Sequence, residues 1–372
     1  MAKQRLISAE TSDAREDVIN QSLRPTKLAD YVGQERLVEK LRITLQACKE
    51  RREPMEHVLL HGPPGLGKTT LAHIIAQELG THLVVTSGPA LTRPTDLVGT
   101  LTKLQDRDVL FIDEIHRLPA VVEEYLYSAM EDFKIDVTVD SGMHAKIITL
   151  PLKGFCLIGA TTRAGLLSGP MRSRFGILHN LDFYSQADLL RILQRSAMLL
   201  GLSAAGGQTF GKNISGNNVS GGLVSGDGGG LAPALQAIAA RARGTPRIAN
   251  RLLRRVRDFA QVKAGGAVVP EVVDAALTLE GVDVLGLDEL DRKYLRVIAQ
   301  VYRGGPVGLE AVAATLSEDA GTLEDVVEPY LLQLGFVART RKGRQLTPEA
   351  AQHIGVKLDL PTAVDGEEPL FG

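Results

Sequence analysis

The amino-acid sequence predicts an α/β domain with a mostly parallel sheet, then a small all-α domain and a C-terminal domain with the element order of a winged helix. In the first half, short apolar runs alternate with helical or loop stretches, as buried parallel strands do. Farther along, apolar residues recur at helical spacing, and the last helical stretch ends in a ribbon pattern around Gly343. The apolar runs cover residues 57–61, 83–85, 109–112 and 155–158.

The elements of the first domain follow in chain order. Leu37, Leu41 and Leu45 stand at helical spacing among charged residues, which predicts an amphipathic helix. A glycine-rich turn follows the first apolar run, and residues 69–79 form the next predicted helix. Between residues 135 and 150 the pattern alternates with period two around a turn, which predicts a β-hairpin inserted in the α/β domain.

Changes in composition divide the chain into units. The first residues are polar and lack the apolar segment of a signal peptide. A glycine-rich, nearly uncharged stretch interrupts the second domain and is interpreted as a flexible insertion. The predicted units are a tail at 1–22, the large domain at 23–183 with the hairpin at 134–150, the small helical domain at 184–262 with the insertion at 206–230, the winged-helix domain at 263–354 and a tail at 355–372.

Composition excludes several classes of function. The formal net charge of -2 argues against a uniformly basic nucleic-acid coat, so DNA contacts must come from local patches. No apolar run of about 20 residues is present, so we expect no membrane span. Cys48 and Cys156 are far apart, which disfavours a metal cluster and is typical of small buried hydrophobes in a reducing cytosol. We therefore expect a cytoplasmic protein.

The glycine-rich turn at residues 62–69 matches the phosphate-binding pattern G-x-x-x-x-G-K-[ST], with a strand before it and a helix after it. Gly65 and Gly67 allow backbone N–H groups to wrap phosphates, and the helix N-terminus adds its positive dipole end. Lys68 is placed to reach the β- and γ-phosphates, and the hydroxyl of Thr69 to bind Mg²⁺. The pattern therefore predicts an ATP–Mg²⁺ site.

A pair of acids follows the apolar run at 109–112. Asp113, at the end of a buried strand, is suited to hold the Mg²⁺ shell, and Glu114 to orient and deprotonate the attacking water. An Asp-Glu pair alone is most often a solvated loop start. Behind an apolar strand and downstream of a phosphate-binding loop, the catalytic interpretation is favoured.

Three further positions are candidates for sensing the phosphates. Thr162, or else Thr161, ends the strand after residues 155–158 and is suited to contact the γ-phosphate or the lytic water. An arginine of the segment that holds Arg172 and Arg174 is placed to act as an arginine finger on a neighbouring subunit, although most such arginines are surface ion pairs. Arg247 lies next to the proline that opens a helix of the second domain and is the arginine we expect to reach the nucleotide from there.

The predicted ribbon of the last domain carries basic residues at its tip. These residues are suited to bind DNA phosphates or to enter the minor groove, although a basic turn is most often only solvated. Pro329 falls inside the preceding helix and should kink it. The basic residues are Arg339, Arg341, Lys342 and Arg344.

Taken together, these motifs and their order resemble the RuvB family of AAA+ ATPases, the Holliday junction branch migration motors, from about Leu23 to Ile354. The resemblance implies a large ATPase domain, a small helical lid and a C-terminal winged helix. It also implies a homo-hexameric ring around duplex DNA that works with RuvA and the resolvase RuvC in recombination, DNA repair and the SOS response to DNA damage. The motifs that carry it lie at residues 23–25, 30–34, 62–69, 111–118, 159–163, 173–176 and 244–254.

The resemblance also implies roles for single residues. Leu23 and Arg24 would lie near the adenine and Tyr184 near the nucleotide. Arg174 would be the finger, Arg247 the sensor arginine of the lid, and Arg339 with Arg344 the DNA contacts. The hairpin at 134–150 would dock RuvA. To the nucleotide-binding set we add Thr70, Glu131, Asp132 and Phe133.

Two other functions share part of this evidence. An AAA+ clamp loader or remodelling ATPase has the same ATPase motifs, but the inserted hairpin and the basic winged helix disfavour it. A winged-helix DNA-binding protein with a vestigial ATPase domain is disfavoured because Lys68, Thr69, Asp113, Glu114 and Arg174 are all present. The insertion at 206–230 departs from the family, where a short acidic connection joins the two lid helices.

Overall fold

The structure is a computed structural model that describes residues 22–138, 147–202 and 230–357. The predicted insertion, apart from Gly230, lies outside the described residues, as do the tip of the hairpin and most of both tails. Within the described part, no helix is long and apolar enough to cross a membrane.

The first domain is built on a five-stranded sheet in which all neighbours are parallel, in the order β2 (Leu83–Ser87), β3 (Val109–Asp113), β6 (Cys156–Thr161), β1 (Val58–His61) and β7 (Ile177–Asn180). The apolar runs predicted as strands are confirmed, and β7 was missed. Its burial alternates between half-buried and exposed, as expected for a strand at the sheet edge. The remaining strands form two-stranded sheets and are β4 Lys134–Thr138, β5 Ile147–Pro151, β8 Val337–Thr340 and β9 Gly343–Leu346.

Helices cover both faces of this sheet and build the two smaller domains. In the first domain they are α1 Glu35–Arg51, α2 Lys68–Leu79, α3 Pro94–Leu101, α4 Ala120–Asp132 and α5 Gly169–Ser173. In the second domain they are α6 Gln186–Leu199, α7 Leu231–Arg241, α8 Pro246–Lys263 and α9 Pro270–Leu279. In the third they are α10 Glu289–Gln300, α11 Leu309–Leu316, α12 Ala320–Thr322, α13 Glu328–Gln333 and α14 Pro348–Ile354.

Alternate residues of the central strands enter different cores. Leu60 and Phe111 pack with α1, α2 and the helical domain, whereas Leu59 and Leu110 pack with α3 and α4 on the other face. Because side chains alternate across a strand, these near-continuous apolar runs are buried on both sides. This sandwich fixes the carboxyl ends of β1, β3 and β6 side by side, where the predicted catalytic residues begin.

The inserted β-hairpin is confirmed. β4 and β5 pair in an antiparallel register that sets Ile135 opposite Leu150 and Val137 opposite Ile148. Ile135 is fully buried in the core beneath α4, whereas Ile147 is 65% exposed. The hairpin is therefore anchored at its base and carries an exposed aliphatic residue toward its tip.

The boundary that we expected at residues 262–263 falls inside a packed unit. Val273, Ala276 and Leu277 of α9 are buried against α7 and α8 in the core shared with the helical domain. The separate core of the last domain begins at Leu287. The structure therefore moves the boundary to about residue 283, because the apolar face of α9 has its partners on the lid side.

The last domain has the predicted winged-helix order. β8 and β9 form a two-stranded ribbon, and Val307 pairs with Arg344 as a short third strand. In front of Pro329 the helix widens into a π-helical turn at Leu323–Val327. A proline lacks the N–H for the carbonyl four residues back and crowds it, so a wider turn accommodates Pro329 without ending the helix.

Candidate functional site

A cavity of about 560 Å³ opens at the carboxyl ends of the central strands, where the ATPase domain, the helical domain and the winged helix meet. Most of the residues predicted to bind nucleotide or catalyse hydrolysis line this one cavity. They are Leu23, Arg24, Gly65, Gly67, Lys68, Thr69, Thr70, Asp113, Glu114, Thr162, Tyr184 and Arg247.

Lys68 is the buried cation of this cavity. Its ammonium donates to the carbonyl oxygens of Gly62 and Pro63 at 2.7 and 2.8 Å. Burial lowers the pKa of Lys68 to about 8, and nearby Asp113 acts in the opposite direction. A buried lysine held by carbonyl dipoles is poised to gain from an anion, because phosphate oxygens would stabilise its charged form.

The glycines of the phosphate-binding loop hold conformations that other residues rarely adopt. Gly67 has φ 100°, and a Cβ there would lie 3.2 Å from the hydroxyl of Tyr31. The loop leads directly into α2 at Lys68, so free N–H groups of the first helical turn face the cavity. The loop thus has the form of a phosphate cradle.

Two tyrosines form the wall beside this loop. The hydroxyls of Tyr31 and Tyr184 lie 2.8 Å apart, and that of Tyr184 donates to the carbonyl of Leu66 at 3.3 Å. Burial raises the pKa of Tyr184 to about 12, so both tyrosines remain neutral hydrogen-bonding groups. The backbone N–H of Tyr184 donates to the carbonyl of Gly244 at 2.8 Å, which ties this wall to the lid.

Asp113 and Glu114 stand at the end of β3 with different environments. The Oδ1 atom of Asp113 accepts from the N–H of Glu114 at 2.9 Å, which fixes its carboxylate at the strand end. Glu114 has φ 48° and pairs with Arg117 at 2.9 Å, with 47% of its side chain exposed. Its partly exposed carboxylate therefore borders the cavity while it pairs with Arg117.

The structure separates the two threonines at the end of β6. Thr162 lines the cavity, whereas Thr161 is fully buried behind it. The hydroxyl of Thr161 lies 2.9 Å from Nδ1 of His116 and accepts from the N–H of Arg163 at 3.0 Å. Thr162 is therefore the threonine placed to face a ligand, and Thr161 links the ends of β3 and β6.

Arg174 lies away from the cavity of its own chain. Its guanidinium donates to the carbonyl of Pro170 at 2.7 Å, pairs with Glu131 at 3.0 Å and stacks over the ring of Tyr127 at 4.5 Å. Glu131, Asp132 and Phe133 also lie outside the cavity lining.

Phe133 packs against His57 and Phe155 in the core, so its ring is committed to the fold. A role for Arg174, Glu131 and Asp132 at a nucleotide thus requires a neighbouring subunit.

Several cavity residues were not among the predicted site residues. Tyr31 lies within the motif at residues 30–34, but the sequence around it did not indicate a role in nucleotide binding. Ile192 and Arg195 show only helical spacing, and Asp325 belongs to another domain, so no local pattern marks them. The residues of this kind are Pro25, Asp30, Tyr31, Val32, Pro64, Leu66, Ser87, Ile192, Arg195, Pro246, Asn250, Asp325 and Val326.

The basic wing tip has two environments. Arg339 and Arg344 lie opposite each other on β8 and β9, and the Nε atom of each is 2.8 Å from the carboxylate of Glu328. The side chain of Glu328 is fully buried, and its carboxylate also accepts a hydrogen bond from the hydroxyl of Tyr294 at 2.6 Å. Arg341 and Lys342 form the turn between the strands and are exposed.

Comparisons with known proteins match three consecutive parts of the chain to one family. Residues 23–181 match the P-loop domain of the Holliday junction DNA helicase RuvB, residues 232–283 the RuvB AAA lid domain, and residues 284–355 the RuvB C-terminal winged-helix domain. The RuvB subunit of the Holliday junction branch migration complex of Desulfosudis oleivorans is 54% identical over 336 residues, 90% of this chain and 90% of that protein.

Solved structures of the same family also match this chain. The Thermotoga maritima RuvB Holliday junction branch migration motor superposes with a TM-score of 0.77 at 46% identity, over 92% of this chain and 100% of that one. A variant of the same Thermotoga maritima protein gives a TM-score of 0.78 at 46% identity, over 91% of this chain and 100% of that one.

Proposed function

The chain belongs to the RuvB family, the AAA+ P-loop ATPases that drive Holliday junction branch migration, and we propose that it does so as a hexameric ring with catalytic sites shared between subunits. The observation that carries this function is the convergence of Lys68, Asp113, Glu114 and Thr162 on one cavity closed by the lid. The family models for the lid and the winged helix favour the motor over a clamp loader or a vestigial ATPase.

Within one subunit each of these residues has a separate role in binding or hydrolysing ATP. Lys68 and the loop N–H groups bind the phosphates of ATP, and Arg247 reaches the cavity from the lid. Glu114 orients the attacking water and accepts its proton, and Thr162 positions the γ-phosphate or that water. The hydroxyl of Thr69 and the carboxylate of Asp113 suit Mg²⁺, which binds few protein oxygens and supplies charge neutralisation when bound.

The proposed sharing of sites follows from the position of Arg174. In its own chain this guanidinium is held by Glu131 and Tyr127, outside the cavity lining. An arginine finger supplied by a neighbour stabilises charge on the transferring phosphoryl group and is worth about 10³-fold or more in rate. We place Glu131 and Asp132 at the same subunit interface.

A mixing experiment tests this proposal. Arg174→Ala should bind ATP and hydrolyse it at least about 10³-fold more slowly, and Lys68→Ala should lose binding and turnover. Mixed rings contain interfaces that join an intact Lys68 to an intact Arg174, so the mixture should recover part of the turnover. Full ATPase activity of a wild-type monomer at high dilution contradicts the shared site. Glu114→Gln, which should bind ATP without turnover, serves as a control for binding.

The proposed partners bind two surfaces outside the nucleotide cavity, the hairpin and the wing. The relative from Desulfosudis oleivorans is named as a subunit of a branch migration complex. We propose that this chain likewise joins RuvA, through the hairpin with its exposed Ile147, and acts with RuvC in recombination, repair and the SOS response. The wing, with Arg339 and Arg344, is proposed to bind duplex DNA at Holliday junctions, in the cytoplasm.

A further inference from the structure

We propose that Asp325 of the winged-helix domain is a positioning residue for ATP hydrolysis, which holds Arg163 and so couples the sensor end of β6 to the DNA-binding domain. This inference rests on the proposed function of the winged helix in binding DNA. Four observations carry it.

The first observation is a two-point contact between distant domains. The Nε atom of Arg163 lies 3.0 and 3.2 Å from the two carboxylate oxygens of Asp325, and its Nη2 lies 2.7 Å from one of them. Glu324 adds a second carboxylate at 3.3 Å. A guanidinium held at two points by a carboxylate has a fixed orientation, which a single ammonium contact does not give.

The second observation is a continuous chain of hydrogen bonds toward the catalytic residues. The backbone N–H of Arg163 donates to Thr161, whose hydroxyl bonds to His116. His116 follows Glu114 by two residues on the same turn after β3. Arg163 also directly follows Thr162, which faces the cavity. A displacement of Arg163 is therefore transmitted to both the sensor threonine and the turn of Glu114.

The third observation is the position of the π-helical turn. Asp325 and Val326 line the nucleotide cavity. They also line a smaller cavity of about 30 Å³ between Pro63 of the phosphate-binding loop and Ile248 of the lid. This turn of the winged helix thus touches the nucleotide site at the junction of all three domains, and its Glu324 lies 4.0 Å from Arg344 of the ribbon.

The fourth observation is the contrast between the two attachments of the winged helix. Toward the lid, Arg243 pairs with Asp291 at side-chain exposures of 3% and 0%. Toward the ATPase domain, Arg163 and Asp325 are each 34% exposed. Breaking a buried pair is far more costly than breaking a half-exposed one. The winged helix therefore moves with the lid, and the Arg163–Asp325 pair is the contact that can form and release.

The test measures kcat and KM for ATP on the full chain, with and without saturating duplex DNA. Asp325→Asn should reduce the stimulation of kcat by DNA about fivefold, as expected for loss of a half-exposed charged pair, while KM stays within about twofold. The exchange of charges in Arg163→Asp with Asp325→Arg should regain at least half of the lost stimulation. Glu318→Gln, an exposed acid of the same domain, is the matched control and should match the wild type.

Each contrary outcome has a distinct meaning. Undiminished stimulation in Asp325→Asn overturns the inference. So does a loss that comes with a large rise in KM and a lower melting temperature, because that pattern reports a structural role. A wild-type chain that binds DNA but whose kcat does not respond to it counts against the inference alone, whereas a wild type that does not bind DNA counts against the proposed function.

Discussion

Cations serve opposite purposes in the nucleotide cavity and in the wing. Lys68 is buried, and its ammonium donates to the backbone carbonyl oxygens of Gly62 and Pro63. Arg339 and Arg344 share the carboxylate of buried Glu328. A cation held by dipoles gains when an anion arrives, whereas a cation paired with a carboxylate must share or lose that partner. The neighbours of a cation, more than its residue type, decide what it can bind.

The largest effect that this comparison predicts is on the stability of the wing. Glu328→Gln removes the charge that two guanidiniums share, and loss of one partner from such a buried group should cost about 2–3 kcal/mol after allowance for the exposure of Arg339. Thermal and urea unfolding of the full chain measure it. Glu310→Gln, an exposed acid on α11, should have no effect, and equal stabilities of the two variants would mean that Glu328 does not hold the ribbon.

The same pair predicts an acid dependence. Burial raises the pKa of Glu328, but its hydrogen bonds with Arg344, Tyr294 and Arg339 outweigh burial and lower it. A folded-state pKa below the unfolded one stabilises the protein above the unfolded pKa, and this contribution is lost as the pH falls through the folded value. The stability difference between wild type and Glu328→Gln should therefore shrink below about pH 4.

The next effect concerns Lys68 and ATP affinity. Its pKa of about 8 means that the free protein holds a neutral lysine at higher pH, whereas bound phosphates favour the charged form. ATP affinity should fall about tenfold for each pH unit above 8. Lys68→Arg keeps its charge and should show a flat profile between pH 7 and about 9.5. Parallel profiles for the two proteins would exclude Lys68 as the titrating group.

For stability, Lys68 and Glu328 share the sign of the pH dependence, because folding lowers the pKa of both, but folding disfavours the charged form of Lys68 and favours that of Glu328. Burial lowers the folded pKa below the ordinary value of 10.5. The charged lysine therefore destabilises the nucleotide-free protein below pH 8, and this cost is relieved as the pH rises toward 10.5. Unfolding measured with and without ATP at pH 7 and 9 separates this contribution from phosphate binding.

The smallest predicted effect divides the wing itself. Arg341→Ala with Lys342→Ala removes the exposed cations of the turn and leaves the Glu328 pairs intact. Duplex DNA affinity should fall roughly fivefold in moderate salt, and the slope of log affinity against log salt should flatten by about 2. Arg36→Ala with Lys40→Ala, two exposed cations of α1, is the control.

If the slope is unchanged by the turn variant, the DNA contacts lie with Arg339 and Arg344. Of those two residues, Arg339 is best tested by Arg339→Lys, which keeps a cation for both Glu328 and phosphate. Alanine at these positions would leave the Glu328 carboxylate without a cationic partner and mix stability with binding.

Local patterns were enough for most of the fold and for the centre of the site. The parallel strands were predictable because both faces of each apolar run are buried. The phosphate-binding loop was predictable because its tight turn requires backbone conformations that glycine adopts more easily than other residues. The edge strand β7 was missed because it lacks a continuous apolar run. The end of the lid was placed too early, because the partners of α9 are distant in sequence.

The catalytic chemistry can be predicted from local sequence, because Lys68, Thr69, Asp113 and Glu114 follow strand and turn signals that act over a few residues. Tertiary structure alone decided which charges meet. It placed Asp325 beside Arg163, 162 residues away, and Glu328 between two wing arginines. Such pairs depend on how separate domains and strands pack, because an ion pair forms only where distant side chains are brought within a few ångströms and removed from water.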